Sequence, residues 1–127
     1  MSAETIHTFE FGVVQLFENY LIVTMNRGIT VIPEYNDILL ELANTHYKDK
    51  PFVYITHRKN SYAVDPAVYK RTSKIENLVG FAVVSKKEID SKTVPVEKLF
   101  FTKPFQLFED KDEAIAWAEM LTKEANK

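Results

Sequence analysis

Phe52-Val-Tyr-Ile-Thr-His57 runs without a break into Arg58-Lys-Asn-Ser-Tyr-Ala-Val-Asp-Pro66. The first segment is continuously apolar from Phe52 to Ile55 instead of alternating, which predicts a strand covered on both faces and therefore an interior, parallel position. The second is polar and basic and ends in Asp65-Pro66, a capping residue followed by the residue best suited to the first helical position. A buried strand thus delivers a charged loop to a helix start. Leu78-Val-Gly-Phe-Ala-Val-Val84 repeats the covered-strand signature, so these two runs should form the centre of a sheet.

Working outward, residues 6–25 read as three short strands: Thr8-Phe-Glu-Phe-Gly12, Val13-Val-Gln-Leu-Phe17 and Tyr20-Leu-Ile-Val-Thr-Met25. Glu18-Asn19 supplies a two-residue turn, and an antiparallel meander is the simplest arrangement. Pro33 opens a helix whose apolar stripe is Tyr35, Ile38, Leu39, Leu42, Ala43 and His46 or Tyr47, closed by Pro51. A short helix through Val68, Tyr69 and Thr72 follows Pro66. From Lys86 to Phe101 the helical pattern is interrupted at Thr93-Val-Pro95, predicting a kink or two short helices, the second burying Val96, Leu99 and Phe100. Pro104–Phe108 is a final strand. Asp110-Lys-Asp-Glu113 then caps a helix with Ala114, Trp117, Ala118 and Leu121 on one face. The predicted order is βββαβαβαβα in a single domain, an α/β fold with a mixed sheet and about four helices.

Composition agrees. The 127 residues are enough for one core, and 46% hydrophobic residues can fill it while 27% charged residues solvate the surface. Cysteine is absent, which excludes disulfides, thiolate metal sites and a cysteine nucleophile. The N-terminus has neither the basic region nor the apolar stretch of a signal peptide, and no run approaches the ~20 apolar residues of a membrane span. A cytoplasmic protein is expected. The net charge is −2, yet between His57 and Lys74 five cations (Arg58, Lys59, Lys70, Arg71, Lys74) face one acid, Asp65, leaving +4 there and −6 elsewhere. A local positive field surrounds the loop.

This order and these junctions are similar to the STAS domain, and the chain most resembles the SpoIIAA-like proteins of that superfamily. The resemblance is carried by His46-Tyr-Lys-Asp-Lys-Pro-Phe-Val-Tyr-Ile55, by the loop Arg58–Pro66, by Phe81-Ala-Val-Val84, and by Phe101-Thr-Lys-Pro-Phe-Gln-Leu-Phe108 before the Trp117 helix. It implies a domain that acts through its surface, with a more distant relation to the lipid-binding CRAL-TRIO fold. In anti-anti-sigma members a serine at the start of the helix after the central strand is phosphorylated to switch partner binding, and the matching phosphoacceptor would be Ser61. The acidic serine loop of those members is replaced by Lys59-Asn60-Ser61-Tyr62.

The residues themselves favour a non-enzymatic module that binds a protein partner, or a second copy of itself as a homodimer, through Arg58, Lys59, Asn60, Ser61, Tyr62, Tyr69 and Arg71. Anion binding at the helix start is opposed by Asp65, whose carboxylate satisfies the same amides. The leading alternative is a carrier of a small amphipathic or lipid ligand, with Tyr54, Tyr62 and Tyr69 at the mouth of a pocket and Arg58 on a headgroup. A hydrolase would require His57, Ser61 and Asp65 to converge, although Ser61 lacks the glycine-flanked turn that exposes a nucleophile. No cofactor is expected. No metal is expected either, since no two histidines share a helix face at ligand spacing, and the acidic Asp110–Glu113 run reads as a cap. The overall acidity argues against nucleic acid.

Overall fold

The computed structural model describes residues 5–58, 63–86 and 88–126. The elements run β1 (Thr5–Phe9), β2 (Gly12–Leu16), β3 (Tyr20–Met25), β4 (Thr30–Val31), α1 (Pro33–Tyr47), β5 (Phe52–His57), β6 (Ala63–Val64), α2 (Ala67–Ser73), β7 (Leu78–Val84), α3 (Glu88–Lys98), β8 (Phe105–Phe108) and α4 (Lys111–Ala125). Setting aside the two-residue strands β4 and β6, this is the predicted βββαβαβαβα.

Six strands form one sheet in the order β1-β2-β3-β5-β7-β8. The first three pair antiparallel, and β3, β5, β7 and β8 then pair in parallel. The covered-strand runs do occupy the middle, with Val53, Ile55, Ala82 and Val83 fully inaccessible. Because every parallel strand is added on the same side, right-handed crossovers lay α1, α2 and α3 on one face. Leu39, Tyr47, Val68 and Val94 share a core there, whereas Ala114 and Ala118 of α4 belong to a separate core on the other face.

The first hairpin corrects the sequence reading. Phe9 pairs with Gly12, so the turn is Glu10-Phe11 and Gly12 begins β2 instead of ending β1. A side chain at Gly12 would press on the Thr24 carbonyl oxygen and lie 3.0 Å from Met25 Cα. The glycine marks a close backbone approach, not a break. Phe11, freed by the turn, is buried and stacks on Tyr35 at 4.9 Å.

Helix α1 begins at Pro33 as expected, but its buried face is Asn36, Leu39, Ala43 and Tyr47, while Ile38 is 42% exposed. A polar residue has turned the helix. Asn36 Nδ2 donates to Thr72 Oγ1 at 2.9 Å, and that hydroxyl donates to the Val68 carbonyl at 2.8 Å, so a buried polar relay joins α1 to α2. The Tyr47 hydroxyl lies 2.8 Å from the Phe17 carbonyl and 2.5 Å from that of Tyr20, tying the end of α1 to the β2–β3 turn.

Helix α2 starts one residue later than expected, at Ala67, yet Asp65 still caps it: its Oδ1 accepts from Ala67 N at 3.0 Å. Ahead of it, β4 and β6 pair in parallel, and Asp65 N donates to the Val31 carbonyl at 3.0 Å. Helix α3 takes the single-helix form of the two expected, and the correction lies in what it buries. It passes through Pro95 as one helix and buries Val94 and, just beyond its end, Phe101, leaving Val96 and Leu99 outside and Phe100 half-buried. On the far face, Asp110 caps α4 by accepting from Asp112 N at 2.8 Å. Trp117 and Leu121 of α4 close over Gly80, where a Cβ would lie 3.0 Å from the indole and 2.6 Å from the leucine methyl.

Burial raises the Tyr20 phenol above its ordinary pKa of 10.0, and the nearby charge of Glu119 adds to the effect. A raised folded value favours the native state below the unfolded pKa, and that contribution is lost as pH climbs through the folded one. Thermal unfolding followed by circular dichroism should therefore show a melting temperature that drops above pH 10, with a shallower drop for Tyr20→Phe. An identical alkaline limb in both proteins would remove Tyr20 as its source.

Candidate functional site

The carboxyl ends of β5, β7 and β8 bring the predicted edge together. Arg58 N donates to the Val84 carbonyl at 2.9 Å, which carries the sheet pairing one residue past β5 and aims the Arg58 side chain across the helical face. There it meets α3. Arg58 Nη1 donates to Glu97 Oε1 at 2.9 Å and Nη2 to Oε2 at 2.5 Å, a two-pronged pair whose side chains are only 8% and 16% exposed. The Tyr69 hydroxyl from α2 donates to Glu97 Oε2 and accepts from Arg58 Nη2 at 3.2 Å. Three elements are thus pinned at one point.

Beneath this cluster the tyrosine ring packs edge-on against Phe81 and Phe105, both at 5.8 Å, and Phe81 stacks on Tyr54 at 4.7 Å. The space between Tyr54, Tyr69, Val68 and Met25 is filled to within about 20 Å³. An apolar ligand site needs roughly 300 Å³ or more.

Among the described residues, the structure places four of the five cations of the edge. Arg58 is turned inward onto Glu97, and Arg71 pairs with Asp37 of α1 at 2.7 Å, both partners about half exposed. Lys70 and Lys74 of the α2 region remain on the surface. Lys103 donates to the Ile75 carbonyl beyond α2, and burial lowers its pKa while Glu76 acts against that shift. Lys59, Asn60, Ser61 and Tyr62 lie outside the described residues. Of the residues a hydrolase would need, His57 and Asp65 are described, and the carboxylate of Asp65 accepts from the Ala67 amide of α2.

An open cleft of about 410 Å³ lies at the same strand ends, lined by His57, Arg58, Ser85, Lys86, Glu109 and Lys111 among others. Its lining combines the acids Glu109 and Asp110 with the cations Arg58, Lys86 and Lys111, and Asp110 accepts from an α4 amide. Open α/β sheets often use this position for ligands. Among the described residues, no three His, Asp or Glu side chains gather as a metal-binding group. Glu97, the residue that organises the cluster, was absent from the predicted edge. It is 39 positions from Arg58, and no local spacing links them.

No helix among the described residues is long and apolar enough to cross a membrane. No family model matches the chain, and no curated protein matches it in sequence. The structure is similar to the crystal structure of an uncharacterized protein of the DUF3478 family from Shewanella loihica PV-4, which has a SpoIIAA-like fold. The TM-score is 0.58 and the identity 18%, with 90% of each chain covered. Such a likeness speaks to fold, and it agrees with the strand order, the mixed sheet and the four helices described above. This chain therefore has a SpoIIAA-like fold.

Proposed function

We propose that the chain is a non-enzymatic STAS-like module that docks a protein partner, or a second copy of itself, on the edge formed by residues 57–72. The observation that carries this reading is the filled space under the edge, about 20 Å³ between β5 and α2. A carrier of an amphipathic ligand would need its apolar volume there. The small volume at this place favours recognition at the surface of the edge, where Lys70 of α2 is exposed. The surplus of cations in this segment, within an otherwise acidic chain, suits an acidic partner surface and fixes its orientation during encounter.

Native mass spectrometry of the chain purified from its own source tests this directly. The expected result is a protein assembly whose affinity falls about tenfold when Lys70 and Lys74 are both replaced by glutamate, with the melting temperature unchanged. A monomer carrying a stoichiometric small amphipathic molecule would overturn the proposal in favour of a carrier.

A further inference from the structure

We propose that the outer edge of β1 pairs with the same edge of a second copy of this chain, joining two six-stranded sheets into one across a twofold axis. The inference concerns a different surface from residues 57–72 and stands independently of the function proposed for them.

The two edges of the sheet differ. Strand β8 has four residues, is preceded by Pro104 and flanked by Lys103 and Glu109, and both α3 and α4 pack on it. Shortness, proline, charge and cover are the devices by which sheet edges avoid pairing. Strand β1 has five residues, Thr-Ile-His-Thr-Phe, without proline, lysine, arginine or acid. It pairs with β2 residue for residue, from Thr5 with Leu16 to Phe9 with Gly12, and has no bulge. Among the described residues no strand pairs with its other side, and Ile6 is 62% exposed.

The hairpin determines which groups that edge offers. Its two-residue turn makes Phe9 and Gly12 a hydrogen-bonded pair, and alternation along the antiparallel ladder then points the N–H and C=O of Thr5, His7 and Phe9 toward β2 and those of Ile6 and Thr8 outward. Main-chain groups at every second residue match an extended strand. The edge is also held firmly. Asn26 N donates to the Phe11 carbonyl at 2.8 Å and Asn26 Nδ2 to that of Glu10 at 2.7 Å, fixing the turn. The rings of His7, Phe9, Phe11 and Tyr35 stack in a row, with successive centroids 6.3, 5.1 and 4.9 Å apart, fixing the hairpin on α1. Little ordering entropy is left to lose on pairing.

Self-complementarity selects the occupant. Antiparallel pairing about a twofold axis within β1 sets Ile6 and Thr8 of one copy in phase with the same residues of the other, so outward N–H groups meet outward C=O groups. Thr5–Phe9 contains no acid, lysine or arginine, so these charges are not set like against like inside the paired stretch, and Glu10 lies beyond it in the turn. Threonine, isoleucine and phenylalanine are residue types that pair well across a ladder. The twofold uses up both copies of β1, and β8 is covered, so the assembly closes at two copies instead of growing into a fibre. A contact of one strand on each side is small, which places the dissociation constant on the order of 100 µM.

Sedimentation equilibrium of the full chain from about 10 µM to about 1 mM tests this, with amide hydrogen exchange followed by NMR at both ends of the range. The expected result is a monomer–dimer equilibrium in which the Ile6 and Thr8 amides gain protection with concentration, while those of His7 and Phe9, already bonded to β2, do not. Thr8→Pro removes an outward N–H and leaves the bonds to β2 in place, and Ile6→Lys puts a cation on the edge. Each should weaken dimerisation by about tenfold. Gln106→Lys, exposed on β8, should leave it unchanged. A monomer throughout, a dimer that survives both β1 variants, or exchange at Ile6 and Thr8 that ignores concentration would each overturn the proposal. So would a dimer lost on joint replacement of Lys70 and Lys74 by glutamate and kept in both β1 variants, which would assign self-association to residues 57–72.

Discussion

Glu97→Ala is expected to lower the unfolding free energy by about 3 kcal/mol, since it removes the two-pronged carboxylate partner of a guanidinium that has been taken out of water. Arg58 is 8% exposed, and its two terminal nitrogens both reach Glu97. Removing the acid takes away both of these charge-assisted bonds, while the Tyr69 hydroxyl still accepts from Nη2. The paired replacement Arg58→Met with Glu97→Leu should recover stability to within about 1 kcal/mol of the wild type, because hydrophobic side chains of similar volume avoid the desolvation cost altogether. Urea unfolding of the two single variants and the double variant gives the cycle. A loss below about 1 kcal/mol for Glu97→Ala would place the pair with solvent-exposed ion pairs and would refute its role in holding α3.

The second large effect is expected at Gly12. An alanine Cβ there meets the backbone of Thr24 and Met25 in the neighbouring strand, atoms with no side-chain torsion to relieve the clash. Separation of β2 from β3 is the available response, and it should cost about 3 kcal/mol. Gly80→Ala is the instructive contrast. Its Cβ meets the Leu121 methyl and the edge of the Trp117 ring, and the flexible end of a leucine can move, so a loss of about 1 kcal/mol is expected. Denaturation midpoints that reverse this order would mean that the β2–β3 contact yields more readily than the packing of α4.

What the sequence revealed and concealed follows from the range of the interactions involved. Phe52–Ile55 and Leu78–Val84 announced themselves because burial on both faces removes polar residues from a continuous run, a local property. Pro33 likewise acts through its own fixed φ, and Asp65 and Asp110 on amides two residues on. The rotation of α1 was not legible, since it is set by Asn36 meeting Thr72 from another helix, and an apolar stripe cannot register a buried amide. The inward turn of Glu97 had the same origin: a carboxylate reads as surface until its arginine is known. Gly12 was misread for a different reason. Breaking a strand and admitting a neighbouring backbone demand the same residue, and only the pairing tells them apart. The strands β4 and β6, two residues each, are too short to carry any alternation. The loop was recognisable by its charge, whereas the capture of Arg58 and Arg71 by acids from α3 and α1 was not.

The small β4–β6 ladder has a consequence for how the loop can vary. On one side Arg58 N is bonded to the Val84 carbonyl, and on the other Asp65 N is bonded to that of Val31. Both anchors are main-chain bonds, indifferent to the side chains of residues 59–62. Closure is thus provided by the scaffold, and a loop spanning two such anchors costs only about 0.6 kcal/mol more for each doubling of its length. Substitutions at residues 59–62 leave both of these bonds in place, so they do not ask the sheet to refold.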